Sequence, residues 1–273
     1  MGAGFEKLFP DEDYRFHLRM ERGDPAEFFA PTPSHARMVA ERRRWLRSEP
    51  EIYAALLPLG EPLLAEVAQL ARSWNGFVQS PGGFWSTLLA LGEFWETDYL
   101  LLKAEVAGEI LLNGGCLCFP SSWRLSDKIG KPIEFIHGPV PGLNSSIGGA
   151  VHRFLAGLKP GAASLRHNWG LARSPELNHH PDRHPARLDA GVGMDEVWLR
   201  VEHQALVALP ESGGILFGIR VVNHPLAEVC TARDARVRLC RALETMPESM
   251  AVYKGLGTAR RRVLQLLQDL GGP

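Results

Sequence analysis

The sequence predicts an α+β fold on three observations. Apolar residues recur at helical spacing at both ends of the chain, strand-like runs fill the middle, and a proline-broken stretch separates the first strand pair from the last three strands. From Ser34 to Ser73 the helical spacing is carried by Met38, Val39, Trp45 and Leu46, then Ile52, Leu56 and Leu57, then Leu64, Val67 and Leu70. Proline removes a donor and biases its predecessor away from helix, so Glu49-Pro50 and Gly60-Glu61-Pro62 divide this third into two or three helices. A Trp- and Leu-rich helix is expected from Phe84 to Leu102, followed by a hairpin across Glu109–Phe119 that turns at Asn113-Gly114. Between Ser126 and Leu158, Pro132, Pro139, Pro141 and Gly142 interrupt short helical turns. Ser164–Leu171, Val197–Leu209 and Gly214–Val222 read as strands, the last two joined by a hairpin-type loop at Pro210–Gly214. Helix returns from Ala235 to Leu270, with Arg260–Arg262 on a solvated face and Leu264, Leu267 and Leu270 opposite.

Composition excludes several classes. The 273 residues carry 30 basic and 31 acidic side chains, a formal net charge of -1, which gives no field for nucleic acid or anionic lipid. No apolar run approaches the roughly 20 residues that span a bilayer. Met1–Glu6 has Glu where a myristoylation site requires Ser or Thr, and the start lacks the basic and apolar halves of a secretory leader. Four cysteines are too few for a disulfide scaffold, and a cytoplasmic protein is expected.

The common cofactor and nucleophile motifs are absent: no G-x-G-x-x-G, Walker pattern, G-x-S-x-G or H-E-x-x-H occurs. Cys116 and Cys118, one residue apart on a strand, share a face and read as buried, inert thiols. Asn178–His184 gathers three histidines and a carboxylate, but irregular sequence fixes no ligand geometry, so a polar surface loop is expected there rather than a metal centre.

Many separate words resemble the haem-dependent oxidative N-demethylase, alpha-subunit-like family. They are Cys118–Leu125 (CFPSSWRL), Lys128–Pro132, Ile136–Gly142, Arg153-Phe154, Asn168-Trp169, Leu199–Glu202, Leu209–Gly213 with Phe217–Arg220, and Met246–Met250 with Tyr253-Lys254. Tyr14-Arg15-Phe16 and the Arg42–Arg44 helix also fit, so the resemblance runs along nearly the whole chain. It implies a PAS-like antiparallel sheet with haem-facing helices, wrapped by N- and C-terminal helices. The boundaries are a helical part at 1–100, a PAS-like haem-binding core at 101–235 and C-terminal helices at 236–273, forming one integrated domain.

A haem needs an axial ligand, an apolar slot and cations for its propionates. His137, on the proline-rich segment, is the candidate iron ligand under the family reading; the alternative is a core histidine that caps a turn before Pro139. Cys118 is the competing thiolate donor and ranks below it, because it lacks a glycine-bearing ligand loop. Arg124, Arg153, Arg166, Arg200 and Arg220 are the candidates for propionate pairing, since guanidinium forks match carboxylates. His167 and His203 depart from the family words, and strand alternation sets both on the more apolar face, where they are expected to line the distal pocket together. Asn168 and Glu202 complete the candidate catalytic set; Glu202 either holds an ammonium substrate or pairs with Arg200 along one strand face, and the pairing is favoured because adjacent opposite charges need no ligand.

The resemblance implies an oxygenase subunit holding haem b on His137 and using O2 to hydroxylate the N-methyl group of a small secondary or tertiary methylamine, with release of formaldehyde. Two electrons would come from NAD(P)H through a separate flavin or iron–sulfur reductase subunit, since the chain has no motif for those groups. Assembly into an oligomer is compatible with this. Two other classes stay open: a PAS-like haem-based gas or redox sensor without turnover, and a scaffold subunit in which His137 is only a core residue.

Overall fold

The structure is a computed structural model that describes residues 4–5, 8–79, 81–105 and 108–270; the myristoylation reading rests on Met1–Ala3 and Glu6, outside the described residues. The elements run β1 (Glu21–Gly23), α1 (Pro25–Phe28), α2 (His35–Ser48), α3 (Pro50–Tyr53), β2 (Ala54–Leu56), α4 (Glu61–Asn75), α5 (Gly83–Phe94), β3 (Asp98–Ala104) and β4 (Ile110–Cys116). Then come α6 (Ile133–His137), a π-helical turn at Asn144–Gly148, α7 (Gly149–Ala156), β5 (Ala163–Ala172), β6 (Trp198–Leu209) and β7 (Gly214–Pro225). The chain closes with α8 (Leu226–Val229), α9 (Arg233–Thr245), α10 (Glu248–Tyr253) and α11 (Arg260–Asp269). The fold is α+β. The helical breaks fall at the two proline sites: α2 stops at Ser48, and α4 starts at Glu61 with Pro62 in its first turn, where a missing N–H costs no helical bond.

All strands join one antiparallel sheet in the order β1-β5-β6-β7-β3-β4-β2. On its outer face, Leu63, Leu64, Leu88, Leu91 and Leu101 form part of a first core beneath the N-terminal helices. Leu199 and Val201 join a second core with Leu226, Leu239, Leu243 and Val263 of the C-terminal helices. The inner face is covered by α6, the π-helical turn and α7.

Helix α2 is tied to the sheet by a buried ionic knot. Arg42 and Asp98 form an ion pair, both 0% exposed. Arg42 also donates to the Gly92 carbonyl at 2.7 Å and to Cys116 Sγ at 3.3 Å, while Asp98 accepts from the backbone N–H groups of Cys118 (2.6 Å) and Phe119 (2.9 Å). Burial alone would lower the Arg42 pKa, but Cys118, Asp98 and Cys116 around it raise it, so the guanidinium stays charged.

Several expectations are corrected. The helix predicted to Leu102 ends at Phe94, and Asp98–Leu102 belongs to β3. A central strand buried on both faces is a continuous apolar run, which periodicity does not distinguish from a buried helix. The hairpin predicted across Glu109–Phe119 is one strand. Asn113 is its bulged residue, since Leu101 pairs with Gly114 and Leu102 with Leu112. Gly115, at φ 146°, brings the backbone against the Tyr99 carbonyl, where a Cβ would sit 2.3 Å away. The chain turns earlier, where the Glu105 N–H donates to the Glu109 carbonyl at 2.8 Å. In the loop expected at the surface, Asn178, His179 and His180 are buried, because Asn178 donates to the Tyr53 hydroxyl at 2.8 Å and the His180 N–H to Asn178 Oδ1 at 2.9 Å. In α11, Arg260 and Arg262 bind the carbonyls of Met246 and Val192 rather than facing only solvent, and Leu270 is exposed. No helix among the described residues is long and apolar enough to cross a membrane.

Candidate functional site

Between the inner face of the sheet and the α6–α7 layer lies a cavity of about 650 Å³. Leu100, Leu102, Leu206, Phe217 and Ile219 form its sheet wall, and Ile136, Ile147, Val151 and Phe154 the opposite wall. Segment 8–21, which lacks regular structure until it enters β1 at Glu21, lines it through Tyr14, Phe16, Leu18 and Met20. Such a slot, apolar on two broad sides with charged and polar groups at its margins, suits a flat amphipathic ligand.

His137 is the last residue of α6 and lines this cavity, and its ring makes no hydrogen bond to a described residue. Burial first, then the charges of Lys128 and Arg166, bring its pKa down to about 4 against the opposing pull of Glu134. The imidazole is neutral at physiological pH, with a lone pair available to a metal ion.

Five cations line the cavity: Arg15 and Arg19, which pair with Glu12, and Lys128, Arg166 and Lys254. Arg166 makes no hydrogen bond or ion pair among the described residues, and burial lowers its pKa while Glu202 opposes. Lys254 donates to the Trp169 carbonyl at 2.6 Å; burial brings it down to about 8, with Glu202 opposing and Arg166 adding. Lys128 lies 4.2 Å from the Trp123 ring centroid, its pKa also lowered by burial. Glu202 is held by Ser121 Oγ (2.6 Å), Asn168 Nδ2 (3.2 Å) and Gln204 Nε2 (2.9 Å), all donating to its carboxylate.

Of the five candidate arginines, Arg166 alone lines the cavity. Arg124 is half-buried and pairs with Asp182 at 2.5 Å, and Arg153 is exposed on α7. Arg220, on the outer face, pairs with Glu96 at 2.8 Å and donates to the Phe28 carbonyl. Arg200 is spent on the carbonyls of Phe119 and Leu177, both at 2.9 Å, and on Ser121 Oγ at 2.9 Å. The expected Arg200–Glu202 pair is instead bridged, with Ser121 accepting from one and donating to the other. Cys118 belongs to the Arg42 knot, where burial raises its thiol pKa, so no thiolate faces the cavity.

The two histidines do not line a pocket together. His167 and His203 are direct cross-strand partners. Glu202 and Gln204 point into the cavity, so alternation turns His203 to the outer face, while His167 reaches only the cavity rim. Sequence reasoning missed Lys128 and Lys254 as site residues, although both lie in the family words; a lysine on a short helix or turn reads as a solvated charge until the fold closes over it.

A family model described as haem-dependent oxidative N-demethylase, alpha subunit-like, matches residues 77–264. The chain belongs to this family. The matched stretch contains His137, Arg166, Glu202 and Lys254, whereas segment 8–21 of the cavity wall lies outside it. The residues of this haem-dependent N-demethylase relative fit a haem: a neutral imidazole without a hydrogen bond, an apolar slot, and a half-buried guanidinium that makes no hydrogen bond or ion pair among the described residues are what the group requires. Among the described residues no three His, Cys, Asp or Glu side chains converge as a metal cluster, and a haem iron needs none.

Proposed function

We propose that the chain is the haem-binding subunit of an oxygenase that N-demethylates a small secondary or tertiary methylamine and releases formaldehyde. The observation that carries this reading is that one cavity holds both the neutral His137 ring and the Arg166 guanidinium, neither with a side-chain hydrogen bond among the described residues. A haem b bound there would supply oxygen activation, drawing on O2 and on electrons from NAD(P)H through a separate flavin or iron–sulfur reductase subunit. A family named for an alpha subunit supports such an assembly.

The chain's own residues have distinct roles in this reading. His137 would hold the haem iron. Arg166, with Lys254 and Lys128, would neutralise the propionates, because a guanidinium or ammonium desolvated by the protein gains from a carboxylate what burial cost it. Glu202, fixed by Ser121, Asn168 and Gln204, is a carboxylate whose position is set before any substrate arrives; it would accept a hydrogen bond from the substrate ammonium and so orient the amine in the cavity. The phenyl and aliphatic side chains of segment 8–21 exclude water from that side. The core is taken as PAS-like, an assignment supported by the central order β4-β3-β7-β6-β5 with α6 and α7 inserted between the second and third of these strands in sequence. One integrated domain is likewise proposed, supported by β1 and β2 extending that sheet at its two edges.

The test is haem reconstitution followed by turnover of dimethylamine and trimethylamine with a surrogate reductase, NAD(P)H and O2. Formaldehyde release that requires both haem and reductant is expected. A Soret band without formaldehyde from either amine overturns the demethylase reading in favour of a sensor, and absence of haem uptake overturns both.

A further inference from the structure

On the outer face of the sheet, β5 and β6 run between two helical coverings, with His203 half-buried and His167 exposed. At one end Gly218 packs beneath Phe28 and Phe29; at the other Leu199 and Val201 lie under the C-terminal helices. Between them stand His203 on β6 and the exposed His167 on β5. Directly opposed antiparallel residues project to the same face with Cβ atoms roughly 5 Å apart, so both rings can reach a common point. Their Nδ1 atoms are 2.9 Å apart, with ring planes at 83°.

Two arrangements give that separation: a proton shared between the nitrogens, or two cis ligands on one metal ion. With metal–nitrogen bonds of about 2.0–2.1 Å, nitrogens at 90° lie about 2.9 Å apart, whereas the tetrahedral angle sets them at about 3.3–3.4 Å. The pair therefore suits the tetragonal geometry that Cu2+ and Ni2+ adopt better than the tetrahedral geometry of structural zinc. Burial, then His167, Arg220 and His224, bring the His203 pKa down to about 4, so its ring is ligand-competent at neutral pH. Arg220, opposite His203 in the register, is already balanced by Glu96 at 2.8 Å. Among the described residues no third His, Cys, Asp or Glu completes a cluster.

We propose that His167 and His203 form a two-nitrogen site for a tetragonal divalent metal ion, Cu2+ or Ni2+, on the face of the sheet turned away from the cavity. The site is independent of the haem reading. Its test uses the full chain without an affinity tag, titrated calorimetrically with CuCl2 and NiCl2, together with electron paramagnetic resonance of the Cu2+ form. One saturable equivalent with two equatorial nitrogens is expected, and either His167→Ala or His203→Asn should weaken it by about tenfold or more, the loss of one arm of a chelate. The thermal midpoint of the metal-free protein should be unchanged in His167→Ala; that exposed position carries the test alone if His203→Asn fails to fold. Absence of a saturable site, or equal affinity in wild type and His167→Ala, overturns the proposal in favour of a shared proton.

Discussion

Buried cations inside and outside the cavity are treated in opposite ways. Away from the cavity Arg42 has a carboxylate, a carbonyl and a sulfur around it, Arg200 has the Phe119 and Leu177 carbonyls, and Arg220 has Glu96 and the Phe28 carbonyl. Inside the cavity Arg166 has no hydrogen bond or ion pair among the described residues, and Lys254 is brought down to about 8. A buried charge satisfied by its own chain is a structural device, while one left uncompensated in a cavity is a standing cost that only a ligand relieves. The contrast separates architecture from site without reference to any relative.

The largest expected effect is on the satisfied side. Arg42→Met leaves Asp98 buried without its cation and should cost about 3–5 kcal/mol in urea unfolding. Arg166→Met should do the reverse to the haem-free protein, leaving stability unchanged or raised by about 1 kcal/mol, because an unpaired desolvated charge is removed. In haem titration the same variant should bind about tenfold more weakly, through loss of a charge-assisted pair to a propionate. A destabilised haem-free Arg166→Met would break the comparison.

A pH series sharpens it. The folded pKa values of His137, His179 and His203 stand near 4 against 6.5 when unfolded, so between those limits the unfolded chain binds more protons. Stability of the haem-free protein should therefore fall as pH drops from 6.5 towards 4, with a shallower fall in His137→Asn. Lys254, near 8 when folded against 10.5, gives the same sign in the basic range: stability should rise with pH from 8 to 10.5, and Lys254→Met should remove that rise. Urea midpoints across pH measure both. The smallest effect is Ser121→Ala, which removes the hydroxyl shared by Arg200 and Glu202 and should cost about 1 kcal/mol.

Much of the fold was legible because β5, β6 and β7 are long and bounded by turn residues, and because prolines mark the ends of α2 and the start of α4. What failed did so for physical reasons. Tyr99–Leu102 is apolar on both faces and carries no period. Asn113-Gly114 has the chemistry of a tight turn, but those residues form a bulge, a choice made by contacts with β2 and β3 that are remote in sequence. The three-residue β1 and β2 are too short to leave a pattern. At the site, His137 and Arg166 were legible as residue types with a chemical use. The face of His203 was misassigned because Leu199 and Val201 belong to the second core and Ala205 to the first, both on the outer side rather than in the cavity. Arg124, Arg153, Arg200 and Arg220 carried no signal to separate them from Arg166, since partnership is a property of the folded chain.

The most direct test of the central claim is the visible spectrum of the haem-reconstituted protein beside that of His137→Ala, each recorded oxidised, reduced and with carbon monoxide. If the imidazole in the cavity holds the iron, the wild type shows a Soret band that responds to reduction and carbon monoxide, and His137→Ala, folded as judged by circular dichroism, loses that band or recovers it only with added imidazole. An identical spectrum and identical haem affinity in the two proteins would contradict the account.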